Sequence, residues 1–389
     1  MPVRSRPVLH ASTWLNWGKN SLKIAILILF FWSAPVLASL RVGVILPLTG
    51  DQARLGQALQ AWLEEVNLYF ARNYGLSFRL RFFDSGSRCR KMPQIVEKAF
   101  LEGLNVLVGP AQPACAAALL KEARRLGVPA VITSGDFHPV KSFRTPLGPY
   151  FRTGLSTRAA VKVLYRCFKK KGWHKIGLLL TKDPVGREGE RWLLAYATEF
   201  ALKIGGKRYF GLKDTDVSVH LEALLSCDAV VCWAPPGASY RVAKNLTANR
   251  FGIPVYFSHL VAGEPFLKEH AGLYAHPFVG AAFFSEDDFP GDKGLKRLFE
   301  KLYLSKTTWR HPVFAAYADA FNFLRIGVLK GGTAGWRRGL ERAGLVKGLT
   351  GLYFLSTDDH YGLLPASVGV FRYQWFRYEP VCKPTANIF

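Results

Sequence analysis

The chain has 389 residues, of which 49% are hydrophobic and 21% charged, so it can bury a core and lacks the composition of a disordered protein. This length predicts two domains of ordinary size. The formal net charge of +24 raises the question of an anionic partner such as nucleic acid or phospholipid. Because the basic residues are scattered in pairs and triplets, we interpret them as a solvated surface and expect no nucleic-acid partner.

The first 38 residues have the pattern of a secretory signal peptide. A basic stretch without acids (1–23) precedes an apolar run (24–32), and Ala38 ends a small-residue cleavage pattern. The alternative is a membrane anchor, but 24–38 is shorter than the roughly 20 residues that a membrane span needs, and it contains Pro35. We therefore expect cleavage after Ala38 and export of the mature chain.

Beyond residue 40, apolar strand-like runs alternate with amphipathic helical patterns. The apolar runs 105–109 and 175–180 lack polar alternation, which is typical of parallel strands buried on both faces. The alternation predicts a doubly wound α/β architecture, and its restart near 151–156 predicts two lobes of similar build. Strands are predicted at 41–48, 77–84, 105–109, 129–133, 175–180, 207–212, 229–234, 254–257, 278–284 and 367–376. Helices are predicted near 57–73, 91–103, 114–126, 157–171, 188–204, 217–226, 238–250, 293–304 and 312–330.

The turn after the first predicted strand, Thr49-Gly50, poses the question of a nucleotide phosphate. Dinucleotide binding uses G-x-G-x-x-G, whereas only Gly50 and, six residues on, Gly56 are present here. The motifs GxxxxGK[ST], HExxH and G-x-S-x-G do not occur either. We therefore expect no cofactor, no catalytic residues and no enzymatic activity.

Two polar clusters are candidate sites. Asp358-Asp359-His360 is the densest cluster, and we interpret it as a solvated turn and not as a metal site. Asp136 and His138 lie in a loop after a predicted strand, where a structural role or a hydrogen bond to a ligand is favoured over catalysis. No His/Cys cluster has the spacing of a zinc site, so no metal is predicted.

Ligands of doubly wound sheets bind outside the carboxyl ends of the strands. The residues at these positions predict a cleft lined by apolar and hydrogen-bonding groups: Gln112, Ser134, Gly135, Phe137, Val185 and Trp233, with Asp136 and Asp183 at its edge. Because this lining contains few carboxylates, it favours an apolar or anionic solute over a cation.

Four stretches resemble the type I periplasmic binding proteins, in the subgroup that serves branched-chain amino acid and amide transport (Leu/Ile/Val-binding protein-like). They are VGVILPLTGDQARLG (42–56), 105–137, 175–200 with VGREG at 185–189, and 314–328 with AYADA at 316–320. The resemblance implies two Rossmann-like lobes joined by a three-crossover hinge, with crossovers near 152–156, 282–287 and 350–356. It assigns 39–153 plus 285–352 to the N-terminal lobe and 154–284 plus 353–389 to the C-terminal lobe.

The resemblance also implies a function. The expected protein is the periplasmic solute-binding component of an ABC importer, a monomer that binds a small molecule between its lobes and delivers it to a permease in the inner membrane. The alternative on the same fold, a ligand-sensing or envelope-regulatory interaction protein, stays open at this point.

Departures from the family pattern bear on the ligand. Amino-acid binders of this subgroup carry small hydroxyl residues where this chain has Ala114 and Phe137, and an acid near His259 where this chain has none. A buried ammonium without an anionic partner costs several kcal/mol. The resemblance thus adds Ala114 and His259 to the expected ligand-binding residues and argues against a free branched-chain amino acid as the ligand.

Six cysteines occur in the chain, and none forms a CxxC pair. Some members of the family bridge a cysteine after the second strand to one after the third, which implies a disulfide between Cys89 and Cys115. The pairing of Cys167, Cys227, Cys232 and Cys382 is left open.

Overall fold

Two sheets organise the chain in the computed structural model, which describes residues 39–135, 148–263, 276–281, 291–306, 311–374 and 377–384. The first sheet is wholly parallel, with the strand order β2-β1-β3-β4-β5. Its strands are β1 (Arg41–Leu46), β2 (Arg79–Asp84), β3 (Val106–Val108), β4 (Ala130–Ile132) and β5 (Tyr150–Arg152).

The second sheet has the strand order β14-β13-β10-β9-β8-β6-β7. Strands β6 to β10 pair in parallel, and β13 and β14 are added antiparallel at one edge. The bounds are β6 (Lys175–Thr181), β7 (Lys203–Phe210), β8 (Ala229–Trp233), β9 (Val255–Phe257), β10 (Phe278–Ala281), β13 (Val368–Gln374) and β14 (Arg377–Cys382). A separate antiparallel hairpin joins β11 (Gly344–Lys347) to β12 (Leu352–Leu355).

Helices connect most of the parallel strands, as the βα alternation requires. They are α1 (Ala53–Tyr74), α2 (Met92–Leu101), α3 (Pro113–Leu126), α4 (Thr157–Lys170), α5 (Pro184–Ala197), α6 (Ser218–Glu222), α7 (Pro236–Asn249), α8 (Lys293–Lys306) and α9 (Pro312–Glu341). Short 3₁₀ turns occupy Cys89–Lys91, His259–Val261 and Pro365–Ser367. Among the described helices, none combines the length and hydrophobicity that a membrane span needs.

The prediction of a two-lobed α/β fold is confirmed. The predicted helix 188–204 was too long, because α5 ends at Ala197 and β7 already begins at Lys203. Strands β5, β11, β12 and β14 were not predicted. The predicted signal peptide, the crossover near 282–287 and the loop carrying Asp136, Phe137 and His138 lie outside the described residues.

The segment after β5 and the hairpin β11–β12 meet at a buried aspartate on α9. The carboxylate of Asp319 accepts hydrogen bonds from the backbone N–H of Leu349 and from that of Thr350, the latter at 2.8 Å. The hydroxyl of Tyr353 lies 2.8 Å from Oδ2 of Asp319 and 2.8 Å from the carbonyl oxygen of Thr153. Burial raises the pKa of Asp319 to about 6, although these donors oppose the shift. This cluster therefore joins the segment after β5 to the segment before β12.

Candidate functional site

The Thr49-Gly50 turn is held by hydrogen bonds to Asp84 within the protein. The backbone N–H and the hydroxyl of Thr49 donate to the two carboxylate oxygens of Asp84 at 3.0 and 2.6 Å. Burial alone would raise the pKa of Asp84, but the hydrogen bonds from Thr49 and Gly86 and the charge of Lys91 lower it. Because Asp84 fills this turn with negative charge, the turn is not a phosphate cradle.

Gln112 and Ala114 lie where α3 begins, beside a disulfide. Cys89 and Cys115 are joined, with an S–S distance of 2.05 Å and a Cα–Cα distance of 4.4 Å. The side chain of Gln112 donates from Nε2 to Oε1 of Gln52 at 2.8 Å. Ala114 is exposed in the first turn of the helix. The bridge thus fixes the loop after β3 against the loop after β2.

Ser134 and Gly135 follow β4 and pack against the segment that leaves the first sheet. A Cβ atom on Gly135 would lie 2.8 Å from the carbonyl oxygen of Leu155, and one on Gly154 would lie 2.5 Å from the backbone of Ser134. Ser134 is 3% exposed, and its hydroxyl has no hydrogen-bond partner among the described residues. This close packing leaves no room for larger residues at either glycine.

From the second sheet, Trp233 and His259 approach the same place. Nε2 of His259 lies 3.4 Å from the position that a Cβ atom on Gly135 would take, so the structure brings these two predicted site residues together across the lobes. The rings of Trp233 and His259 meet edge to face at 5.8 Å. Trp233 is only 1% exposed, because its indole fits against Gly189 of α5. The indole therefore packs against the imidazole of His259 and is not open to solvent.

Asp183 and Val185 form the start of α5. One carboxylate oxygen of Asp183 accepts from the N–H of Gly186 at 3.2 Å, and the other accepts from that of Val185 at 3.3 Å. The hydroxyl of Thr181 also donates to Asp183 at 2.5 Å. Asp183 is therefore the N-cap of α5, and its negative charge stabilises the N-terminus of this helix.

His311, which was not among the predicted site residues, precedes α9 and contacts the loop after the turn His259–Val261. Its Cδ2 atom lies 2.5 Å from where a Cβ atom on Gly263 would be. Nδ1 of His311 accepts from the N–H of Val313 at 3.2 Å, which caps the helix. The His-Pro pair at 311–312 is a helix-start signal that could have identified it.

The two histidines are neutral at physiological pH. Burial lowers the pKa of His259 to about 4 and that of His311 to about 4. Nδ1 of His259 is sealed from solvent and has no partner among the described residues. Together with Ser134, it offers two neutral, unpaired polar groups beside Gly135. Neutral donors of this kind can bind a carboxylate or a hydroxyl group but provide no counter-charge for an ammonium.

Asp358 and Asp359 lie in a turn, as predicted, but the prediction of a solvated cluster was wrong for His360, which is 2% exposed. Asp359 accepts from the N–H groups of Tyr361 and Gly362 at 2.9 and 3.0 Å. His360 stacks on Phe151 with a ring-centroid distance of 4.1 Å. In the part of the chain that the structure describes, no group of three or more His, Cys, Asp or Glu residues could hold a metal ion.

A family model and several solved structures match this chain. The family model for periplasmic binding proteins matches residues 39–368. A periplasmic binding protein type 1 from Bordetella pertussis Tohama I has a TM-score of 0.74 and 16% identity, covering 88% of this chain and 100% of that chain. An ABC transporter solute-binding protein from Rhodopseudomonas palustris, in complex with benzoate, has a TM-score of 0.69 and 19% identity, covering 90% and 98%.

A third solved structure carries an amino acid. The branched-chain amino acid transporter substrate-binding protein of Streptococcus pneumoniae, in complex with isoleucine, has a TM-score of 0.70 and 14% identity, covering 88% of this chain and 99% of that chain. No curated protein sequence matches at a significant level. At these identities the structural likeness establishes the fold alone.

Proposed function

Because the chain belongs to the periplasmic binding protein family, we propose that it is the solute-binding component of an ABC importer and that it binds a small organic anion with an apolar body. The ligand lies between the two lobes, which close on it and present it to an inner-membrane permease. Export by a cleaved signal peptide ending at Ala38 places the mature protein in the periplasm.

One observation carries the proposed ligand class: the meeting of Gly135 and His259 across the lobes, with neutral polar groups around it. The ammonium of an α-amino acid needs a carboxylate partner. Asp183 is the acid next to the predicted lining residue Val185, but its carboxylate caps α5. The unpaired hydroxyl of Ser134 and the imidazole of His259 can instead donate hydrogen bonds to a carboxylate.

The solved relatives show what the fold accommodates. The benzoate complex from Rhodopseudomonas palustris has an aromatic carboxylate, whereas the complex from Streptococcus pneumoniae has isoleucine. An aromatic carboxylate fits the groups around Gly135 better, since it combines an apolar body with an anion and has no ammonium.

A thermal-shift experiment tests the proposal. We expect benzoate to raise the melting temperature and leucine, isoleucine and valine to leave it unchanged, since a ligand at 100 times its Kd stabilises by about 2.7 kcal/mol. Mass spectrometry of small molecules released from natively purified protein then identifies the physiological solute. A clear upward shift with a branched-chain amino acid alone would contradict the proposed ligand class.

Variants assign the site. His259→Gln and Ser134→Ala should each weaken binding of the identified ligand by about tenfold, because each loses one hydrogen bond to a charged group. His220→Gln on α6 is the matched control and should bind like the parent. Uptake of the same solute by a strain lacking the protein separates import from a sensing role, because only an importer component is needed for uptake.

A further inference from the structure

A pocket lies outside the candidate site, between α4 and the last strands of the second sheet. Its volume is about 360 Å³, within the range of small-molecule pockets, about 300–1,000 Å³. It is lined by Val163, Arg166, Cys167, Lys169, Lys170, Pro365, Val368, Cys382 and Lys383. None of these residues belongs to the predicted cleft, so the pocket needs a separate explanation.

The floor of this pocket is apolar and fixed in place. Val163, Cys167 and Val368 are 6%, 1% and 2% exposed. Val163 and Cys167 are four residues apart and therefore lie on one face of α4. Cys167 is joined to Cys382 by a disulfide with a Cα–Cα distance of 5.8 Å, which holds β14 against the helix. The two walls are thus covalently linked beneath the opening.

The rim is cationic. Arg166, Lys169, Lys170 and Lys383 are all exposed, and no acidic residue lines the pocket. Within the described residues, none of the four forms a salt bridge.

The end of α4 accounts for only part of this charge. Lys169 and Lys170 lie in the last turn of α4, where cations favour the helix terminus. That explanation does not apply to Lys383, which directly follows β14. A cationic rim over an apolar floor is complementary to one kind of molecule, an anionic head on an apolar chain.

We propose that this pocket binds a free anionic amphiphile, namely a fatty carboxylate. The apolar chain occupies the floor along Val163 and Val368, and the carboxylate is held by the basic residues at the rim. A concave floor with no aromatic residue in its lining favours insertion of a single chain over adsorption to a bilayer, where protruding aromatic and aliphatic side chains are used. The site is independent of the ligand proposed for the cleft.

Calorimetric titration of the mature full-length protein with decanoate tests this site. We expect one decanoate per chain, with no binding of decanol or decyltrimethylammonium, which share the apolar chain but lack the anion. The double variant Lys169→Gln with Lys170→Gln should weaken decanoate binding by roughly tenfold, as expected for losing a charge-assisted contact.

Controls separate this outcome from others. Lys213→Gln with Lys244→Gln removes two exposed charges elsewhere on the same lobe and should leave the affinity unchanged. Equal weakening by both double variants, or binding of decanol as tight as that of decanoate, would overturn the proposal. So would co-sedimentation with phosphatidylglycerol vesicles without decanoate binding, or decanoate binding only after removal of residues 385–389.

Discussion

At the residue scale, Tyr353 is the side chain whose loss is most informative. Its hydroxyl lies between the carboxylate of Asp319 and the carbonyl oxygen of Thr153, and the side chain is fully buried. A buried acceptor that loses its donor carries an uncompensated desolvation cost. The hydroxyl therefore links α9 to the segment that follows β5.

We expect Tyr353→Phe to lower the free energy of unfolding by about 1–3 kcal/mol, because it leaves Asp319 and Thr153 short of one donor between them. Urea unfolding followed by circular dichroism measures the change. Tyr361→Phe is the control: its ring, which stacks with Arg152, is retained, so the effect should stay within about 0.5 kcal/mol. Equal stabilities for the parent and Tyr353→Phe would show that the hydroxyl does not stabilise the contact between these segments.

We expect His311 to make the stability of the fold depend on pH. Its pKa is about 4 in the folded protein, below the ordinary value of 6.5, so the unfolded chain binds more protons between these values. Stability should therefore rise as the pH is raised from about 4 to 6.5, with this residue contributing up to about 3 kcal/mol.

His311→Asn tests this contribution, because asparagine can cap the helix but does not titrate. Unfolding curves across this pH range should have a smaller pH slope for the variant than for the parent. His259 and His276 contribute slopes of the same sign in both proteins, since burial lowers the pKa of each to about 4. Parallel profiles would contradict the assignment to His311.

The sequence allowed some of the site to be predicted and not the rest. Strand ends predicted Ser134 and Gly135, because the βα pattern fixes which edge of a sheet holds a ligand, and the family resemblance added His259. The sequence could not show that Trp233 is buried beside His259, since that depends on Gly189, the sixth residue of α5, leaving room for the indole. Contacts between distant segments have no local signature.

At the element scale, the strands that escaped prediction are short or lie at sheet edges. β5 has three residues, too few for a periodic signal. β14 contains Pro380, which argues against a central strand, and it lies at the sheet edge where proline is tolerated. β7 lies at the opposite edge. Its first half contains Gly205 and Gly206, so the sequence pattern predicted a helix up to residue 204 and a strand only from residue 207.

The long helix α9 offers a prediction with opposite signs at two glycines. Gly332 has φ of 68° and interrupts the helix, whereas Gly335 has helical geometry and no atom within 4 Å of an added Cβ. We expect Gly332→Ala to destabilise by about 1–2 kcal/mol and Gly335→Ala to stabilise by up to about 1 kcal/mol. Thermal unfolding of the two variants measures both. If both substitutions shift the melting temperature in the same direction, the assignment of a helix interruption to Gly332 is wrong.

At the scale of the whole molecule, one apolar cluster extends through both lobes. It contains Val44 and Phe70 beside the first sheet and Val230 and Phe257 in the second, with Phe321 of α9 in the same cluster. Unfolding one lobe alone would expose apolar surface of the other. The lobes are therefore expected to unfold together.

Differential scanning calorimetry should show a single transition whose calorimetric and van't Hoff enthalpies agree. Benzoate, if it is a ligand, should shift this transition as a unit. Two resolved endotherms, or a ligand that moves only half of the heat absorption, would show that the lobes are energetically separate.

The bridge between Cys167 and Cys382 has a further consequence. It spans 215 positions of the sequence and closes the chain from β6 to β14 into a covalent ring. A protease that cuts once within that ring produces fragments that stay linked on a non-reducing gel and separate only after a reductant is added. A single nick in an exposed loop of this ring would therefore leave the protein in one piece.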